Sequence, residues 1–444
     1  MLKRMAILLA VLATAIADTG GIAIAAPIPA APSGSFYQPP PGYQSAAPGT
    51  VLRSRPVRLA AFSVLPQHVR AWQLLYRSID SRGNPMATVT TVLLPAGGAP
   101  SSVLSYQVAQ DSSAPQCAPS HTLGLGGRPG EVINQAEILL IDAAVAQGFA
   151  VSVPDYEGPN AEFGAAKQPG YAVLDGLRAA ESFAPLGLPG SATPATVWGY
   201  SGGSLASGWT AQVQPSYAPE LNIRGVAVGG FVTDLGDALK QINGGFGAGL
   251  IPSALPGVLK AEPSLAKVVN SHLTPQGKAL LAKAGHQCEV PNVTEYAFTN
   301  MDGYLTVPLD ALLRLPTVKR VLTRLDLGGS APTAPLDVYH AVHDELVPIA
   351  GTDATVKKYC AGGDSVRYTR DLLSEHGSLA LTGAGAALHW LSRRVSSTST
   401  PQGCHTATVL STALSPDGLT GEAQVVITAL RGLLDQPVGP ATIF

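Results

Sequence analysis

Charge is scarce in this sequence. Asp, Glu, Lys and Arg make up only 13% of the 444 residues, and 28 basic against 30 acidic residues leave a formal net charge of −2. No strongly basic stretch is present, so nucleic acid is excluded as an expected partner. Cysteine is sparse too: Cys117, Cys288, Cys360 and Cys404 are the whole set, and none forms a C-x-x-C pair. That pattern argues against a zinc cage or thioredoxin-type chemistry. There is no G-x-x-x-x-G-K-[ST] loop, no H-E-x-x-H pair and no His or Cys spacing suited to a metal. The Gly-rich stretch at 124–130 lacks the strand-then-helix setting and the lysine of a phosphate loop. No metal and no cofactor are therefore expected.

What is present is apolar, at 46% of residues, a globular composition with an uncharged surface. Lys3 and Arg4 precede an uncharged apolar run from Met5 to Ala17, with small-residue cleavage candidates at Ala15-Ile16-Ala17 and Ala23-Ile24-Ala25. This reads as a signal peptide over residues 1–26. The run is short against the roughly 20 residues that span a bilayer, and no later segment is long and apolar enough to do so. The mature protein is expected to be secreted, with no transmembrane anchor. An even cysteine count in an exported chain suggests two disulfides, for which four cysteines allow three pairings.

Residues 27–56 are rich in Pro, Ala and Ser and read as an extended arm with little regular structure. The region 57–231 starts with a predicted hairpin, His68 to Arg77 and Met86 to Leu94, around the turn cluster Asp80-Ser81-Arg82-Gly83-Asn84-Pro85. Beyond it strand and helix patterns alternate: strands at Val103–Val108, Phe149–Val153, Ala195–Gly199 and Ile223–Val228, helices at Ile138–Gln147, Tyr171–Phe183 and Ser204–Gln214. Alternation of this kind implies crossover units and a mostly parallel sheet. Residues 232–325 break the alternation and read as a helical insertion. It resumes over 326–400, with strands at Leu336–Val342 and Val366–Leu372 and a helix from Ser378 to Arg394. The segment 401–444 reads as a small β-element, with Gln424 to Ile427 as its clearest strand.

The sharpest chemical signal is Gly199-Tyr200-Ser201-Gly202-Gly203, a G-x-S-x-G sequence between a predicted strand and a predicted helix. A serine hydroxyl is a poor nucleophile at neutral pH. It needs exposure on a tight turn, a base, and amides aimed at the developing oxyanion. The alternative is a Gly-rich turn without chemistry. The Gly202 amide would serve as one oxyanion donor. Such a site takes its partners in the chain order serine, acid, histidine. Asp344 follows the predicted strand Leu336–Val342, and His376 follows the strand Val366–Leu372, so they are the expected acid and base. Glu345 is the nearest rival acid, and His405 is not removed by chain order. The second oxyanion donor belongs after the early strand, where Asp111 stands. Asp111 could act through its backbone amide or as a protonated carboxyl; a plain surface turn is the alternative reading.

With these residues in place, the chain resembles the Candida antarctica lipase A-like secretory lipase family of the α/β-hydrolase superfamily. The resemblance runs from about Phe36 onward. It rests on Phe36-Tyr37-Gln38-Pro39-Pro40, Ser105-Tyr106-Gln107 with Asp111-Ser112 and Cys117-Ala118-Pro119-Ser120, the Ser201 turn, Ser216-Tyr217-Ala218-Pro219-Glu220, Asp344-Glu345-Leu346-Val347-Pro348, and Glu375-His376. It implies an α/β-hydrolase fold with a mostly parallel central sheet, a helical cap at 232–325 holding an acyl tunnel, and a C-terminal flap at 401–444. It implies the triad Ser201, Asp344 and His376, oxyanion donors Asp111 and Gly202, and the pairings Cys117–Cys288 and Cys360–Cys404. The implied substrate is a lipid ester of triacylglycerol type, met at an oil–water interface. Rival expectations are a carboxylesterase or acyltransferase on short soluble esters, a peptidase, and a non-catalytic surface-binding protein on the same fold. The sequon Asn292-Val293-Thr294 offers an N-glycosylation site in a eukaryotic host.

Overall fold

The computed structural model describes residues 34–127, 131–396 and 402–440. The expected signal peptide, the first residues of the arm and the last four residues lie outside them. The expected hairpin forms. Strands β4 (Arg70–Ile79) and β5 (Pro85–Leu94) pair antiparallel in continuous register from Arg70↔Leu94 to Ile79↔Pro85. Asp80 closes the turn by accepting the amides of Arg82 and Asn84, each at 2.8 Å.

The arm is not wholly irregular. Its end forms β1 (Val51–Val57), which pairs antiparallel with β4 at the sheet edge. Arg53, Arg55 and Pro56 hid it from sequence reading. An edge strand tolerates both exposed charge and a proline that cannot donate to a ladder. β2 (Ala60–Ala61) and β3 (Leu65–Pro66) make a separate small pair.

The remaining strands are β6 (Val103–Gln107), β7 (Ala150–Pro154), β8 (Ala195–Tyr200), β9 (Ile223–Gly229), β10 (Leu336–Ala341), β11 (Val366–Asp371) and β12 (Cys404–Val409). The sheet runs β1-β4-β5-β7-β6-β8-β9-β10-β11-β12, and every neighbouring pair from β7 to β12 is parallel. β5 meets β7 antiparallel. The sheet is therefore mostly parallel, and the near-continuous burial of β6 to β10 follows from helices covering both faces.

Short helices α1 (Pro119–Thr122) and α2 (Val132–Ala136) precede α3 (Ile138–Ala146), followed by α4 (Gln168–Ser182) and α5 (Gly202–Tyr217). After β9 come α6 (Leu235–Ile242), α7 (Leu250–Ala261), α8 (Pro263–His272), α9 (Pro275–Ala284), α10 (Glu289–Glu295), α11 (Leu309–Leu313) and α12 (Pro316–Leu325). Then α13 (Ile349–Ala361) leads to β11, and α14 (His376–Thr382), α15 (Ala384–Ser396) and α16 (Pro416–Leu433) complete the order. α4, α5 and α13 share a core with one sheet face, including Leu177, Trp209 and Tyr359. α3, α15 and α16 share the other, including Ile141, Leu388 and Val425. The helices after β9 have a core of their own around Leu265, Val269, Leu312 and Val321.

Two further expectations need correction. The helix predicted from Ser378 to Arg394 starts earlier, at His376, and is divided at Gly383. The β-element predicted over 401–444 does not form as such. β12 joins the end of the main sheet, and Gln424 to Ile427 lie inside α16. The β-branched run Val425-Val426-Ile427 misled. What decides the conformation is the row Gly418, Gly421, Val425, Thr428 and Gly432, spaced by three or four and buried on one helix face.

Both disulfides take the implied pairing. Cys117–Cys288 spans 171 residues and ties the segment after β6 to the start of α10. Cys360–Cys404 joins the end of α13 to β12. Cross-links across such separations act chiefly by restricting the unfolded chain.

Candidate active site

Ser201 sits between β8 and α5 at φ 52° and ψ −122°, a strained left-handed conformation for a residue with a Cβ. Its own amide donates to Gly229 O at 3.0 Å, anchoring the turn to the neighbouring strand. The flanking glycines serve close approach. A Cβ at Gly199 would lie 2.1 Å from Gly203 O, and one at Gly203 would lie 2.0 Å from Gln107 O. The turn is thus wedged against the end of β6, which brings the Asp111 segment beside it.

The imidazole of His376 faces the hydroxyl: Nε2 lies 2.9 Å from Ser201 Oγ. Its Nδ1 lies 2.8 Å from Asp344 Oδ2. The other Asp344 oxygen accepts the amides of Leu346 at 3.0 Å and Val347 at 2.7 Å. Burial works to raise the Asp344 pKa. The His376 hydrogen bond, the two histidine rings and the Val347 amide outweigh it, holding the carboxyl below its ordinary range. Asp344 is thus a fixed anion aimed at one ring nitrogen, which orients the imidazole with its other nitrogen toward Ser201.

His376 owes its position to a built helix start. It is the first residue of α14, behind a capping box in which Glu375 and Ser378 satisfy each other's backbone amides. The His376 amide donates to Glu345 Oε2 at 2.9 Å, and its carbonyl accepts from Tyr200 Oη at 2.6 Å. Glu345, the rival acid, therefore grips the backbone of the histidine and not its ring. His405 lies on β12, paired in register with Arg367 and exposed, so the fold does not bring it to Ser201. His340 is buried behind Asp344. Its Nδ1 accepts the Phe231 amide at 2.9 Å and its Nε2 faces Val347 O at 3.0 Å. Burial, foremost, lowers its pKa, consistent with a neutral ring.

The other side of Ser201 is lined by acids. Asp111 has φ 44°, its carbonyl accepts from Ser253 Oγ of α7 at 2.6 Å, and its carboxyl abuts Gly202, where a Cβ would stand 1.7 Å from Oδ1. Burial pushes the Asp111 carboxyl up to about 6, against the opposing pull of His376 and of the Asp111 and Gly202 amides. Around it lie Glu137, pushed up to about 8 by burial, and Glu157 and Glu289, both raised well above the ordinary carboxyl range by burial first and then by the charge of Asp111. Glu137 accepts from Tyr106 Oη at 2.8 Å and from the Ala109 amide at 3.0 Å.

The structure thus brings together Ser201, Asp344, His376, Asp111 and Gly202. Sequence reading missed Tyr200, although it stands inside the serine motif, and missed the clamp by Glu345. Ser253 and Glu289 carried no signal at all, because only the path of the chain after β9 returns them to the Asp111 loop. The sequon offers no sugar site in this fold. Asn292 is fully buried and its Nδ2 donates to Ser253 Oγ and Ala284 O, both at 3.1 Å. Among the described residues, no group of three or more His, Cys, Asp or Glu is arranged to hold a metal, and no helix is long and apolar enough to cross a membrane.

Known proteins share this arrangement of chain. The sequence profile of the family described as "Secretory lipase" matches residues 129–403. Lipase A of Arthroderma benhamiae is 42% identical over 425 residues, covering 94% of this chain and 90% of that protein. A Mycobacterium tuberculosis protein named a probable inactive lipase is 44% identical over 362 residues, 81% of each chain. The closed-state crystal structure of Candida antarctica lipase A superposes with a TM-score of 0.80 at 27% identity, covering 92% of this chain and 98% of that one.

Proposed function

Because this chain belongs to the secretory lipase family, we propose that it is a secreted lipase that cleaves carboxylic esters of lipids, of triacylglycerol type, through an acyl-enzyme on Ser201. The observation that carries this reading is the unbroken chain Ser201 Oγ–His376 Nε2 and His376 Nδ1–Asp344 Oδ2, at 2.9 and 2.8 Å.

In the first step Ser201 Oγ attacks the ester carbonyl as its proton passes to His376 Nε2, and Asp344 stabilises the imidazolium. The carbonyl electrons move to oxygen, which meets the Gly202 amide and the Asp111 donor. Collapse of this intermediate breaks the ester C–O bond, and the alcohol leaves with the proton from His376. Water then attacks the acyl-enzyme, gives a proton to His376, and the acid departs as Ser201 regains its hydrogen. The choice of a lipid ester over a short polar one rests on the family and on its lipase-named relatives; an acyl chain would add about 0.8 kcal/mol for each methylene it buries.

Purified protein should turn over p-nitrophenyl esters of graded length and an emulsified triglyceride, and Ser201→Ala should abolish both. Turnover confined to short soluble esters would move the reading to a carboxylesterase. The relative named a probable inactive lipase supports one rival, a non-catalytic protein on the same fold. A fluorophosphonate probe separates the two: covalent labelling at Ser201 supports the enzyme, and none at all supports the rival.

A further inference from the structure

Helix α16 is built the wrong way round for a helix on a water-facing surface. Its buried positions are Gly418, Gly421, Val425, Thr428 and Gly432, mostly small. Its outward positions Leu419, Val426, Ile427 and Leu430, with Leu434 just past its end, are large, apolar and 50–70% exposed. The small residues are there because backbone meets backbone: a Cβ at Gly421 would stand 1.9 Å from Gly385 O of α15, and one at Gly385 would stand 2.2 Å from Glu422 N. A surface helix in water normally turns its apolar stripe inward and its charge outward. Small residues toward the neighbouring helix and large apolar ones outward are the arrangement of helices surrounded by lipid.

Charge does not rescue the outer face. α16 has three charged side chains, and each is turned to a partner within the molecule. Asp417 pairs with Arg367 at 2.8 Å and Arg393 at 2.9 Å, Glu422 accepts the Gly385 amide at 2.9 Å, and Arg431 donates to Pro437 O at 3.3 Å. Leu419, Ala423, Val426, Ile427 and Leu430 thus follow one another along the helix with no ionised group among them.

The apolar surface also leads to the candidate active site. Leu414, in the turn just before α16, is exposed, as are Leu410, Leu373 and Leu381. Leu373 and Leu410 are joined through the Leu373 amide and Leu410 O at 3.0 Å, and Leu381 belongs to α14, whose first residue is His376. We infer that the outer face of α16, with Leu373, Leu381, Leu410 and Leu414, is a surface that rests on aggregated lipid. The occupant is lipid because the face offers acyl chains what they need and a protein partner little. The helix carries no aromatic side chain, and the arginines beside the face, Arg393 and Arg431, are engaged within the molecule, so it lacks the anchors of a protein interface. Its continuity with the His376 helix would set the catalytic mouth beside the lipid. The inference takes from the proposed function only the kind of lipid, and lipid contact does not require turnover.

The test uses flotation with phosphatidylcholine vesicles, with the triple substitution Val426→Asp, Ile427→Asp and Leu430→Asp. The unsubstituted protein should float, and the triple variant should lose about tenfold or more of its partitioning, since three charges replace apolar anchors. Its turnover of a soluble p-nitrophenyl ester should stay within about twofold, because no substituted residue touches the triad. Equal flotation of both proteins, or none by the unsubstituted one, overturns the inference. So does a dimer in light scattering that the triple variant converts to monomer, which would make a second copy the occupant. If the triple variant does not fold, Leu430→Cys carrying an environment-sensitive fluorophore keeps the test open. Its emission should shift to the blue on vesicles, and an unmoved spectrum overturns the inference. Ser201→Ala separates the two readings: it should float like the unsubstituted protein, so failure of ester turnover with flotation intact counts against the proposed lipase alone.

Discussion

The two sides of Ser201 are unlike. On the histidine side every polar group is answered: both ring nitrogens of His376, both oxygens of Asp344, and the backbone amide and carbonyl of His376 have partners within 3.0 Å. On the Asp111 side, Gln110 Oε1 and one Glu289 oxygen lack any partner among the described residues, and Glu157 has no well-formed hydrogen bond. The histidine side is held by directional bonds that fix an anion. The Asp111 side is held by burial that favours neutral acids. One side should therefore fail when a bond is removed, and the other when pH changes the charge.

The largest effect should come from breaking the histidine side at its anion. Asp344→Asn should lower kcat by about 10⁴, the loss typical when the acid of such a triad no longer fixes the tautomer. A loss below tenfold would mean that Glu345 can replace it. On the other side, Asp111→Ala should lower kcat by about 10²–10³ if an oxyanion donor is lost. Asp111→Asn sharpens this, because asparagine accepts the left-handed backbone and keeps a donor at every pH. The Asp111 carboxyl donates only while protonated, so kcat/KM of the unsubstituted enzyme should gain a falling limb as pH rises through about 6. The Asn variant should lack that limb, and coincident profiles would assign the donor to the backbone amide.

A smaller change is expected at the Glu345 clamp. Glu345→Gln keeps an oxygen for the His376 amide but removes its charge, worth about 1 kcal/mol, or roughly fivefold in kcat. KM should not change; a rise in KM with kcat constant would place Glu345 in substrate binding instead. The smallest effect concerns stability. Glu137 and Asp142 are pushed up to about 8 and Asp155 to about 7, foremost by burial. The folded chain therefore keeps protons that the unfolded chain releases above pH 4 to 5. Stability should fall as pH rises from there through about 8. Asp344 has the opposite sign, and its contribution is lost only as pH falls below its ordinary 3.8. Melting by calorimetry should thus peak in mild acid, and Glu137→Gln should flatten the decline by roughly 2–4 °C. A melting temperature that climbs from pH 5 to pH 8 would contradict burial as the dominant influence on these acids.

The histidine side was also the more legible in sequence. Glycines around Ser201, an acid just past one strand and a histidine just past the next form a pattern that chain order can test. The Asp111 side had no such pattern. Asp111 in an Asp-Ser-Ser context resembles any surface turn, and Glu137, Glu157 and Glu289 are acids of the kind that normally face water. Edge strand β1 and helix α16 were misread for a related reason. In both, most of the residues that decide the conformation are not hydrophobic. They are arginines and a proline tolerated at an edge, and glycines drawn to a neighbouring backbone.

By itself the sequence determined the alternation of strands and helices and the chain order of the candidate nucleophile, acid and base, because those depend on local periodicity and on motifs read along one chain. Tertiary structure alone decided which acid holds the imidazole and which holds its backbone. It alone buried Asn292 together with Ser253, Asp111 and Glu289, and it turned the apolar side of α16 outward. These outcomes depend on distances between residues far apart in the chain and on the water that packing removes.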